Sequence, residues 1–113
     1  MTIQDYQERV DAWIQEHGVR YFDEKTNALL LVEEVGELVR LLARKYGEQS
    51  FKRKEDEKSV DQNITEEIAD ILFVLTCLSN QMDINLDAAI KENMQKKTKR
   101  DDKRHKENQK LSK

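Results

Sequence analysis

A chain of 113 residues with no proline and a single cysteine has room for one domain and none for an internal disulfide. Charged residues make up 38% and hydrophobic residues 37%, a balance that favours long Glu-, Lys- and Leu-rich helices, and no alternating strand pattern competes. The formal charge of −3 hides a basic end, because residues 91–113 hold ten Lys or Arg against four Asp or Glu. No apolar run approaches the roughly 18 residues that span a bilayer, and no charged-then-apolar leader opens the chain. A soluble, cytoplasmic protein is expected.

In chain order, Ile3, Tyr6, Val10, Trp13 and Ile14 repeat as one stripe of an amphipathic helix over 2–17. Thr2 is its expected N-cap, Asp5 completes a partial capping box, and Gly18 ends it. Residues 19–25 form a connection carrying Tyr21 and Phe22. A second helix is expected over 26–46, stopped by Gly47. Residues 48–63 are polar, contain KRKEDEK, and read as a mobile loop. The third helix is expected from Ile64 or Thr65 to Gln81. After the turn MDINLD, Asn85 caps a fourth helix through Ala88, Ala89, Ile90 and Met94. The domain is placed at 1–100, and 101–113 form a basic tail expected to fray or be disordered. Cys77, inside an apolar run, reads as a small buried hydrophobe.

The second and third helices carry acid where a core belongs. With residues about 100° apart around the axis, Glu34 falls among Leu30, Leu38 and Leu41. Glu37 lies one turn on, at the border with Glu33, Arg40 and Arg44. On the third helix, Glu67 is flanked by Ile71, Val74 and Leu78, and Asp70 stands beside Cys77 and Glu66. Ordinary amphipathic helices put carboxylates opposite the apolar stripe. Packed together, these two faces would pool four carboxylates, which cannot all stay ionised without a cation. Oxygen ligands, with no cysteine pair and no suitably placed histidine, favour Mg²⁺, with Mn²⁺ possible. A di-iron bundle would need Glu-x-x-His steps, and neither His17 nor His105 supplies one.

The run EEVGE at 33–37 followed by EEIAD at 66–70 resembles the MazG-like nucleotide pyrophosphohydrolases of the all-α NTP pyrophosphatase superfamily, with their EExxE…ExxD signature. The resemblance covers roughly residues 3–101, including the Trp-bearing first helix, KYGE at 45–48 and ILFVL after Asp70. It implies an all-α, four-helix fold assembled as a homo-oligomeric bundle, a dimer or tetramer. The implied reaction is cleavage of a nucleoside triphosphate, ribo or deoxy, between its α- and β-phosphates to the monophosphate and pyrophosphate, a chemistry suited to cleaning nucleotide pools. Glu34, Glu37, Glu67 and Asp70 would then be Mg²⁺ ligands. Glu33 and Glu66 either orient water or an outer ligand, or are solvated acids.

Relatives carry a Lys-x-x-x-Asn-x-x-Arg run on the fourth helix, and here Asn93 and Lys97 stand where Lys and Asn would. Arg100 survives and Lys96 lies nearby, as phosphate contacts or as part of a solvated basic face. Asn80 is either a phosphate or sugar contact or a polar helix end. Trp13, with Tyr21 and Phe22, offers a base-stacking platform, or packs in the core. The second helix is apolar over more than half its circumference, through Ala28, Leu31, Val32, Val35, Val39, Leu42 and Ala43, so a homo-oligomer is expected to cover it. The rival reading is an inactive helical module that binds nucleotides or a partner, with a basic tail; nucleic acid is not the expected ligand.

Overall fold

Thr2 and Asp5 start the first helix by satisfying each other's backbone. Thr2 N donates to Asp5 Oδ2 at 2.9 Å, and Asp5 N donates to Thr2 Oγ1 at 3.0 Å. In this computed structural model, which describes residues 1–112, α1 is Ile3–Trp13, followed by a π-helical turn at Ile14–Gly18. Then come α2 (Glu24–Tyr46), α3 (Lys54–Lys58), α4 (Val60–Gln81) and α5 (Leu86–Asp101), with a 3₁₀ turn at Gln109–Leu111. The fold is all-α. Among the described residues no helix is long and apolar enough to cross a membrane.

Several boundaries differ from expectation. The first helix does end at Gly18, but through a π-helical turn, and the positive-φ residue that follows is Val19, at φ 68°, where Arg20 N donates to Gly18 O at 2.8 Å. Helix α2 starts at Glu24 because Asp23 caps it, accepting from Thr26 N at 2.7 Å. It does stop at Gly47, whose N–H reaches Ala43 O at 2.7 Å. The glycine is required there by closeness, not by handedness: at φ −93° its backbone is ordinary, but a Cβ would stand 2.3 Å from Ala43 O.

The stretch expected to be a mobile loop over 48–63 holds the short helix α3 and the first turn of α4. Val60 is buried there, and Asp61 forms an ion pair with Lys45, so α4 begins earlier than its apolar periodicity predicts. Asn85 caps α5 as expected, accepting from Ala88 N at 3.0 Å. Among the described residues there are therefore four long α-helices and one short one.

Helices α2 and α4 run antiparallel and are fastened at both ends. At one end Asn27, buried, donates to Gln81 Oε1 at 2.8 Å and to Phe22 O at 3.3 Å. At the other stands the Lys45–Asp61 pair. Helix α1 lies over α4, burying Val10, Ile14 and Cys77 against Tyr6, Tyr21 and Phe73. Gln7 of α1 holds the α4–α5 turn, donating to Ile84 O and accepting from Leu86 N, both at 2.9 Å.

The core is small for so much apolar sequence. Val32, Val35, Val39 and Leu42 of α2 and Ile68, Leu72 and Leu75 of α4 all remain exposed. The radius of gyration is 18.1 Å, against about 13 Å for a compact chain of this length.

Candidate active site

Antiparallel pairing of α2 with α4 sets residue 34 opposite the 67–70 stretch, so the acid-bearing turns meet at mid-length. Glu34, Glu67 and Asp70 each offer a carboxylate oxygen, all within 4.8 Å of one another. Glu34 and Glu67 are half-buried and Asp70 is exposed. None of the three has an ion-pair partner among the described residues. One oxygen of Glu67, Oε2, is buried with no hydrogen-bond partner at all, a position that costs free energy unless something cationic or protic occupies it.

The electrostatics record that deficit. Glu67 is pushed up to about 7, first because it shares a hydrogen with Glu34, then by burial and by the charges of Glu34, Asp70 and Glu37. Asp70 is raised too, mainly by burial and by Glu34 and Glu66. A convergent set of hard oxygens, one of them orphaned and none neutralised by Lys or Arg, fits a divalent cation such as Mg²⁺ or Mn²⁺.

Of the four acids expected to converge, Glu37 is the one held apart. It is exposed and paired with Arg40 at 3.0 Å, although its charge still reaches Glu67. The reason is local, since Arg40 stands at i+3 on the same helix and offers an ion pair without crossing to α4. Glu33 and Glu66 are exposed on the rims. Glu66 is the closer to the site, being one of the charges that raise Asp70.

Tyr6, which the sequence shows only as one member of an apolar stripe, reaches the site from α1. Its hydroxyl is raised by burial and by the neighbouring Cys77 and Asp70. Cys77 is buried as expected, and burial pushes its thiol up to about 11, so it is inert. Trp13 is 51% exposed rather than a core residue, set edge-on to Phe73 with centroids 5.7 Å apart. Phe73 follows Asp70 by one turn of α4, and with Trp13, Tyr6, Arg9 and Val10 it lines an apolar recess.

Other expected contacts are committed elsewhere. Asn80 donates to Gln7 O at 3.0 Å and Tyr21 Oη at 3.1 Å and accepts from Gln7 Nε2 at 3.0 Å. Ten residues separate it from Asp70, about 15 Å along α4. Tyr21 also donates to Asp11 at 2.7 Å, and Phe22 is exposed. Lys96 is paired with Glu92 at 3.0 Å and Arg100 with Asp101 at 2.8 Å. Among the described residues no ion pair joins α5 to α2 or α4.

Sequence reasoning also passes over a basic cleft at the far end of α2, formed by Arg40, Arg44, Phe51, Lys52, Arg53 and Asp56. Phe51, the only aromatic in a polar stretch, is the one sequence signal that the 48–53 segment folds back.

The family model described as the MazG nucleotide pyrophosphohydrolase domain matches residues 22–105. The chain is 43% identical over 88 residues to the uncharacterized protein YpjD of Bacillus subtilis (strain 168), spanning 78% of this chain and 76% of that protein. It is also similar to the crystal structure of the candidate pyrophosphatase YpjD from Bacillus subtilis, with a TM-score of 0.72 and 38% identity over 85% of this chain and 92% of that one.

Proposed function

The chain belongs to the MazG nucleotide pyrophosphohydrolase domain family and is a hydrolase of that kind; on that premise we propose that it cleaves nucleoside or deoxynucleoside triphosphates between the α- and β-phosphates, in a Mg²⁺-dependent reaction that yields the monophosphate and pyrophosphate. The observation that carries this reading is the Glu34–Glu67–Asp70 cluster with its unpartnered Glu67 oxygen.

Glu34, Glu67 and Asp70 would hold the cation, and Glu37, one turn along α2 and now paired with Arg40, would be the fourth carboxylate. A bound divalent ion offsets the triphosphate charge and makes water a better nucleophile. Glu66, beside Asp70, orients the water, and Glu33 on the opposite rim is the weaker candidate. Trp13, open on one face and backed by Phe73, takes the nucleobase by stacking, which accepts any base. A homodimer or homotetramer covers the exposed apolar faces of α2 and α4. The domain is 1–100, residues 101–113 are an accessory basic tail, and the setting is cytoplasmic nucleotide-pool cleaning.

Incubation with a panel of triphosphates, with Mg²⁺ or with EDTA, tests the reading by pyrophosphate release. Release should need the metal and fall by roughly 100-fold or more in Glu34→Gln and Glu67→Gln. Equal release by wild type and both variants would remove the proposal. Nucleotide binding without release would leave the inactive-module reading.

A further inference from the structure

The cleft at the far end of α2 is a recess of about 240 Å³ bounded by four cations and one carboxylate. Arg40, on its near wall, is the partner of Glu37, whose charge is felt by Glu67. Arg44 lies one turn further, about 6 Å along the helix. Arg44 is half-buried between this recess and the adjoining one under the 47–51 segment, and it has no hydrogen bond or ion pair among the described residues. Lys52 is likewise unpaired, and Arg53 is only loosely held by Asp56, at 3.7 Å. Phe51, half-buried, lines both recesses and keeps the cationic segment folded against α2. The cations of α5 at Lys96 and Arg100, by contrast, are already paired with adjacent acids.

We propose that this cleft holds the β- and γ-phosphates of the substrate, the part that departs as pyrophosphate, with Arg44, Lys52 and Arg53 as its anion contacts. The inference rests on the triphosphate reading above and adds the residues that grip the leaving group. A triphosphate carries more negative charge than one divalent ion offsets, so the distal phosphates need cations of the protein's own. Arginine suits the position, since its planar fork donates two hydrogen bonds to a phosphate where lysine gives a point charge. Ten residues separate Glu34 of the cluster from Arg44, about 15 Å of helix, a span to be bridged by the cation, the triphosphate chain and the length of the Arg44 side chain together. An arriving phosphate also competes for Arg40 and so frees Glu37 to turn toward the cluster.

The test compares the full-length wild type with Arg44→Gln/Arg53→Gln, and with Arg44→Lys/Arg53→Lys, which keeps the charge. Calorimetric titration with inorganic tripolyphosphate and with pyrophosphate, both with Mg²⁺, should show binding weakened about tenfold or more in the glutamine variant and less in the lysine variant. Binding of a nucleoside monophosphate should change by less than about twofold, because it lacks the distal phosphates. Steady-state kinetics should show KM for the triphosphate raised about tenfold with a smaller effect on kcat. Tripolyphosphate binding equal to wild type in the glutamine variant would overturn the inference, as would an equal loss of monophosphate binding. If the wild type released no pyrophosphate from any triphosphate, the functional reading would fail, and tripolyphosphate binding would still judge the cleft.

Discussion

Neutralising Glu67 in the metal-free protein should stabilise it, and only at neutral to alkaline pH. Glu67→Gln keeps the shape, removes one of three crowded charges, and gives Glu34 an amide hydrogen in place of a repelling oxygen. The carboxyl is raised from its ordinary 4.5 to about 7 by Glu34 first, then by burial and the other acids. That rise corresponds to about 3 kcal/mol in a dry site, and half-exposure cuts it to about 1–2 kcal/mol. The folded chain holds a proton that the unfolded chain gives up between 4.5 and 7, so the wild type loses stability as pH rises through that window. The variant has nothing there to titrate. In EDTA at pH 8, at fixed protein concentration, thermal unfolding followed by circular dichroism should place the variant roughly 5–10 °C above wild type. Near pH 4.5 the two should coincide. A variant less stable than wild type at pH 8, or an equal gain at both pH values, would refute the electrostatic account.

Two further outcomes follow from packing. Asn80→Ala should lower the unfolding free energy by about 1–3 kcal/mol in urea titration, since it strips partners from Gln7 and Tyr21; a raised KM at unchanged stability would instead place Asn80 at the substrate. If the proposed homo-oligomer buries the exposed face of α2, Val39→Asp should reduce the sedimentation mass from that of the oligomer to that of one chain; a wild type that already sediments as one chain, or a variant of unchanged oligomeric mass, would refute that assembly.

What could be read from the sequence was what is decided locally or by periodicity. Thr2 with Asp5 and Asn85 with Ala88 are contacts within one turn, and both formed as the capping rules require. The acid pairs were visible because Glu34 and Glu67 interrupt otherwise apolar stripes, and helix pairing brings them together with Asp70. Glu37 was not decidable in that way: its choice between Arg40 and the cluster depends on distances that appear only once α2 and α4 are packed. Asn80 was equally opaque, because its partner Gln7 lies 73 residues away in the chain. Helix α3 is five residues of KEDEK with no apolar period, and burial of Val60 and the Lys45–Asp61 pair hold the chain beside it. Trp13 sits on the stripe of its helix yet remains half open, because the core beneath is only as wide as Val10, Ile14 and Cys77.

The clasps at the two ends of the α2–α4 hairpin, Asn27 with Gln81 and Lys45 with Asp61, stand far from the acids they serve. Slippage by a single turn would displace one helix about 5.4 Å along the other, more than the whole 4.8 Å within which the three oxygens gather. The alignment of a charged, self-repelling centre is thus guarded by neutral amides and a surface ion pair at a distance, and the centre itself is free to be all acid because it need not hold the rods together.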